Sequence, residues 1–287
     1  MALLRATLQK RRFAVRASGS WLELALIWGI GVALWLALAL FALRTERTLG
    51  HGAAVTGYAL LGAMLALALF NVKKRLVALP LGTARAWMNA HLVLGAVSVP
   101  LYFQHTASLW PGGFYERVIA LLFYTVTLSG IAGFVLQRLL PRRLAHLDAE
   151  VIYERIPGEV FEVRQQVEAL IVKGVQDAGS DTLGRYYLES LHWFFRRPRF
   201  VMSHLVGSGR SARWIRAHVS ALRRYLNETE RGALDRIEAL AFRKNLLDAH
   251  YALQSLLKLW LFVHIPAAVA LLGLAFWHLL VVSIYAR

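Results

Sequence analysis

Five long apolar stretches set the pattern of the chain, the first four separated by short polar connections. They are Trp21–Leu43, Gly52–Val72, Trp87–Gln104, Val118–Leu136 and Leu259–Ile284. A helix needs roughly 20 apolar residues to cross the hydrocarbon core of a bilayer. Four runs meet that length, and the third is shorter at its apolar core. The pattern predicts five transmembrane helices. The first run follows Lys10, Arg11, Arg12 and Arg16, as the apolar region of a secretory signal would. Its length of about 23 residues exceeds the 7–15 of such a region, so a retained helix is expected.

A different pattern fills the segment between the fourth and fifth runs. DTLGRYYLESLHWFF and ALDRIEALAFRKNLLDAHYALQSLL place apolar residues at helical spacing among charges. Breaks are expected at Pro157-Gly158, Ala178-Gly179-Ser180, Pro198 and Gly207-Ser208-Gly209. There is no strand-like alternation and no internal repeat. The GSGR at 207–210 lacks the preceding strand and full glycine spacing of a phosphate loop. The expected fold is an all-α integral membrane protein. Residues 1–20 form a cytoplasmic N-terminus, 21–139 hold transmembrane helices one to four, 140–256 form a helical cytoplasmic insert, and 257–287 hold the fifth helix.

Composition agrees: 57% of residues are hydrophobic and 17% charged, against about 25% charged in soluble domains. Loop charges supply an orientation. Basic residues cluster before the first run, between the second and third (Lys73, Lys74, Arg75, Arg85), after the fourth (Arg138, Arg142, Arg143) and before the fifth (Arg243, Lys244, Lys258). The opposite ends carry only Arg44, Arg47, Arg117 and Arg287. The N-terminus is therefore expected inside and the C-terminus outside, in a bacterial inner membrane. Helices three and five then run parallel. The net charge of +16 reads as this topology and its anionic lipid neighbours, with no nucleic-acid partner. No acid lies between Glu189 and Glu228, a stretch that holds Arg196, Arg197, Arg199, Arg210, Arg213, Arg216, Arg223 and Arg224. It reads as a lipid-facing surface or as a docking face for an acidic partner. The absence of cysteine excludes Fe–S clusters and thioether-attached haem on this chain.

Imidazole is costly in lipid, so intramembrane histidines are functional candidates. Four of the ten histidines fall at the apolar spans: His91, His105, His264 and His278. Each pair is 14 residues apart, in HLVLGAVSVPLYFQH and HIPAAVALLGLAFWH. Fourteen residues rise about 21 Å and fall only about 40° short of whole turns. Each pair thus lies on one seam. On parallel helices His91 is level with His264 at the inner side, and His105 with His278 at the outer. Two axial ligands on opposite faces of a flat macrocycle are what a b-type haem iron requires. Gly95, Ser98, Ala268 and Ala275 along the seam, with Gly57, Gly62, Gly130 and Gly133 on neighbouring helices, would make room for ring edges. A carboxylate-bridged metal pair is not indicated, because Glu23 is the only acid in the spans.

The paired His-x13-His on two parallel helices resembles the dihaem four-helix core of cytochrome b from quinol–cytochrome c reductases. Helices two to five would correspond to that bundle, over roughly half the chain. The resemblance implies axial ligation of two non-covalent haems b by His91 with His264 and by His105 with His278. The first helix and the insert have no counterpart there, and a PEWY-type quinol motif is absent. The cytochrome b anchors of formate dehydrogenases and hydrogenases use similar sites.

The expected function is transmembrane electron transfer as one subunit of a respiratory or photosynthetic-type complex. A quinone or quinol would serve one end. A redox partner protein, a cytochrome c or Fe–S subunit, would meet the outer side. The alternatives are a membrane anchor whose insert recruits a partner, and a proton-coupled transporter without haem. His250, again 14 residues before His264, reads as a surface histidine of an amphipathic helix or as a contact to quinone, propionate or a proton path. Arg85, Arg117 and Lys258 are candidates to pair haem propionates.

Overall fold

The charges that end the apolar runs do not end the helices. In the computed structural model, which describes residues 21–47, 52–75, 83–147 and 150–285, α1 spans Trp21–Arg47, α2 Gly52–Arg75, α3 Ala84–Thr106 and α4 Phe114–Ala145. The expected cytoplasmic segment 1–20 and Arg287 lie outside the described residues. The fourth apolar run stops at Leu136, yet α4 carries on through Arg138, Arg142 and Arg143. A charged side chain marks the edge of the hydrocarbon, whereas main-chain hydrogen bonding continues into water.

The insert and the fifth span share one helix. Here α5 is Ile156–Ala178, α6 Thr182–Tyr186, α7 His192–Arg196, α8 Val201–Val206 and α9 Arg210–Arg223, and α10 runs 58 residues from Glu228 to Tyr285. A reciprocal cap opens α10: Glu230 N–H donates to Asn227 Oδ1 at 2.9 Å, and Asn227 N–H to Glu230 Oε2 at 3.1 Å. Pro266 lies inside α10 between His264 and His278 and removes one main-chain bond of the helix. Pro100 does the same between His91 and His105.

One expected break and one expected helix take a different form. Pro157 stands in the first turn of α5, where its missing N–H costs nothing. The stretch DTLGRYYLESLHWFF is not one regular helix; a π turn at Tyr187–Leu191 joins α6 to α7. Gly179 (φ 63°) and Gly207 (φ 77°) end α5 and α8 in the left-handed region, as expected of glycine after a helix.

The described residues are helical with no strand, and five helices are long and apolar enough to span a membrane. The chain divides into two compact units: Met1–Gly130 with His264–Arg287, and Ile131–Val263. In the first, Leu60, Val93, Val97, Leu101, Tyr102, Ala120, Phe123 and Leu271 form the core. Its outer surface stays apolar, with Leu26, Leu128 and Val269 about two-thirds exposed, as a lipid-facing surface requires. α1 meets α3 at Gly31, where a Cβ would stand 2.3 Å from Val93 Cγ1; glycine permits that approach. In the second unit, Val163, Val167, Leu183, Phe194, Ile215, Leu234 and Ile237 make a water-excluding core from α5 to α10. This unit has the interior of a soluble helical domain.

Candidate functional site

His105 sits in the last turn of α3, and three features hold it. Ala107 ends the helix at φ 50°, with its N–H donated to Phe103 O at 2.9 Å. Tyr102 stacks on Phe123 of α4, with ring centres 4.1 Å apart. The ring's Nδ1 donates to the carbonyl of Ala53 at 2.9 Å. A carbonyl only accepts, so Nδ1 carries a proton, and the tautomer that leaves the lone pair on Nε2 is the one this bond selects. That is the tautomer of a ligating histidine, whose second nitrogen is usually tied to such an acceptor. The buried Thr56 hydroxyl donates to the same carbonyl at 3.0 Å.

Gly57 makes the approach possible. A Cβ there would lie 2.8 Å from His105 Cε1 and 3.0 Å from Nδ1. One turn of α2 thus provides both the hollow for the ring and the acceptor that orients it.

His278 of α10 faces His105. Their ring centres are 6.2 Å apart and their planes nearly perpendicular, at 85°. Two imidazoles bound to opposite sides of one metal, each with a metal–nitrogen bond near 2 Å, have ring centres about 6 Å apart. The pair fits an axial set. Perpendicular planes are compatible with it, because axial ligation sets no angle between the two ring planes. Tyr115 lies against His278, with ring centres 6.2 Å apart and planes at 24°, and its hydroxyl donates to Leu274 O at 2.7 Å.

His264 is held in the same manner. Ser129 Oγ lies 2.8 Å from its Nδ1 and 3.0 Å from Val126 O. The hydroxyl proton goes to the carbonyl, so Nδ1–H donates to Oγ, and Nε2 again keeps the lone pair. His91 lies against the ring of Phe70, with centres 5.1 Å apart. The structure brings the rings of His105 and His278 together edge to face. It places His91 against Phe70 and His264 beside Ser129.

The small residues divide. Gly62 and Gly95 open onto free space, and Gly130 stands in ordinary contact distance of His264, at 3.6 Å. Gly133 does not admit a ring edge: the indole of Trp260 fills that hollow, 2.0 Å from where a Cβ would be. Ser98 bonds its own helix at Gly95 O, 2.8 Å.

The basic candidates are engaged elsewhere. Arg117 Nε donates to Pro111 O at 3.0 Å. Lys258 pairs with Glu154 at 2.5 Å and lies over the Tyr153 ring. Arg85 is exposed at the start of α3. His250 is not a surface histidine; it is 2% exposed, and Gln254 Nε2 bonds its Nδ1 at 3.3 Å while also donating to Val151 O. Among the described residues no three His, Cys, Asp or Glu side chains gather closely enough to hold a metal ion. An axial pair needs only two.

The sequence reading missed the groups that hold the rings: Ala53, Ser129, Tyr115 and Phe70. A serine inside an apolar run was the one visible sign of Ser129. A backbone carbonyl leaves none. It also missed a buried ion pair in the insert. Lys244 Nζ donates to Asp248 Oδ2 at 2.6 Å and to Arg197 O at 2.7 Å, both side chains fully buried. Burial pushes Asp248 up to about 6 against the pull of Lys244, and pushes Lys244 down from the usual lysine range.

Compared with protein-family models, with characterised proteins and with solved structures, the chain finds no match.

Proposed function

We propose that the chain carries electrons across a membrane through two b-type haems. His91 with His264 would hold the inner one, and His105 with His278 the outer. The observation that carries this reading is the outer pair: two histidines on different helices, 6.2 Å apart, one locked by Ala53 O in the ligating tautomer. The equal spacing on α3 and α10 extends it to the inner pair. When bound, haem supplies one-electron ferric–ferrous chemistry.

The protein's part is position. Ala53 O and Ser129 Oγ fix ring orientation and raise the donor strength of His105 and His264. Phe70 and Tyr115 pack against His91 and His278 and exclude water. The loop charges orient the N-terminus inward and the C-terminus outward, in a bacterial cytoplasmic membrane. A quinone or quinol serves one end and a redox protein, a cytochrome c or Fe–S subunit, the outer end, within a hetero-oligomeric complex.

Reduced-minus-oxidised spectra of the purified chain test this. The expected result is a haem b signal that falls by about half in His105→Ala and again in His264→Ala, one site being lost in each. A colourless, well-folded protein refutes it and leaves the anchor or transporter reading.

A further inference from the structure

α8 leaves two apolar side chains in the open. Met202 and Val206, four residues apart, are 71% and 70% exposed. On either side of α8 in the chain, Arg196, Arg197, Arg210 and Arg213 are exposed, and none is ion-paired among the described residues.

The inner end of α4 sets where this helix lies. Ile131, Val135 and Leu139 are 59%, 45% and 52% exposed and recur every fourth residue, so they form one face of α4. On a membrane-spanning helix that exposed apolar face meets lipid. The next residue on it is Arg143, whose guanidinium donates to the carbonyl of Leu205 in α8. Leu139 to Arg143 is a rise of about 6 Å, and the headgroup layer of each leaflet is about 5–7 Å thick. α8 is therefore tethered beneath the lipid-facing stripe, at headgroup depth. The Ser203 hydroxyl, donating to Ser208 O at 2.9 Å, closes the turn that follows it.

We propose that α8 and its flanking arginines form an interfacial foot on the insert's side of the membrane. Met202 and Val206 dip into the acyl boundary. The four arginines pair with anionic phosphates, which the guanidinium fork matches. The occupant is lipid rather than an acidic protein, because the patch joins apolar wedge to cation at headgroup depth. The inference stands apart from the haem reading.

The chain has no cysteine, so a single introduced thiol is unique. Met202→Cys carrying an environment-sensitive fluorophore is compared with Glu228→Cys in nanodiscs of phosphatidylcholine, with and without phosphatidylglycerol. Residue 228 lies 31 residues before Leu259, about 46 Å along α10. The expected result is a blue-shifted emission at 202 and at least about twofold quenching by nitroxide-bearing lipid, stronger with phosphatidylglycerol. Arg196→Gln/Arg197→Gln/Arg210→Gln/Arg213→Gln should erase the dependence on anionic lipid. A label at 202 as wet and unquenched as at 228 in both discs means that the patch faces water, as a protein-docking face would, and overturns the proposal. Val206→Cys repeats the measurement should Met202→Cys disturb α8.

Discussion

Gly57→Ala is the sharpest test of how the outer site is built. The new methyl would start 2.8 Å from His105 Cε1 and 3.0 Å from Nδ1, against an ordinary contact of 3.4 Å or more. The ring must retreat by about 0.6 Å or α2 must shift by as much. His105 is tied to Ala53 on the same turn of α2, and that bond is 2.9 Å. Retreat by this amount carries the bond to the limit of hydrogen-bond range. Losing it costs about 0.5–1.5 kcal/mol. For a haem held as proposed, if the loss falls on the oxidised state, which needs the stronger donor, the potential would rise by roughly 20–60 mV at 59 mV per tenfold. Potentiometric titration followed in the visible spectrum measures it. The inner centre should titrate as in the wild type. Superimposed titrations at both centres, with haem content unchanged, would refute the role given to Gly57 and Ala53.

Ser129→Ala should have the same effect at the other site, raising the potential only of a haem held by His264, by tens of millivolts, in the same titration. Gly133→Ala should lower the melting temperature, since overpacking against Trp260 costs about 1–3 kcal/mol and exceeds the gain in helix propensity; Gly133→Ala/Trp260→Leu should recover much of it, and a purely additive double variant would count against the contact. The insert's stability should fall as pH rises from 4 to 6. Asp248 is held near 6 when folded and near 3.8 when unfolded, so the native state binds the extra proton in that window. The full effect is of the order of 3 kcal/mol. His204, pushed down by burial and then by Lys244, gives the opposite slope below its usual value. The readout is therefore the difference between wild type and Asp248→Asn in hydrogen exchange over residues 131–263. Equal slopes in the two proteins would contradict the burial of Asp248.

The spans were legible because lipid tolerates so few charges: an apolar run of that length has little else to be. The helix ends were less so. Arg138 marks the edge of the hydrocarbon, but α4 persists to Ala145, and Lys258 interrupts apolarity without interrupting α10. The meeting of His105 and His278 was legible from two signals together: 14 residues return a side chain to its starting face of a helix, and the loop charges make the two helices parallel. What surrounds them did not. Ala53 contributes a carbonyl, which every residue has. Gly133 reads like Gly57 as a small residue, and only the position of Trp260 separates a filled hollow from one that seats a histidine. His250 shares the spacing of the other histidines, yet the same helix has passed into the insert, where Leu247, Asp248, Ala249 and His250 are all buried. Periodicity tells which residues share a face of a helix; it does not tell what covers that face.

The two rings of the outer pair come from opposite ends of the order of synthesis. His105 is made before the insert and His278 after it. At 5–20 residues per second, the roughly 170 residues between them take about 10–30 s to emerge. For that interval α2 and α3 can meet, and Ala53 can already hold the first ring in its final tautomer. The second ring arrives only after the whole insert has been translated. A ribosome that stalls within the insert, or a nonsense codon there, leaves each histidine pair with one member. Cofactor retention would then act as a checkpoint on biogenesis, passed only by chains that have carried the insert through to α10.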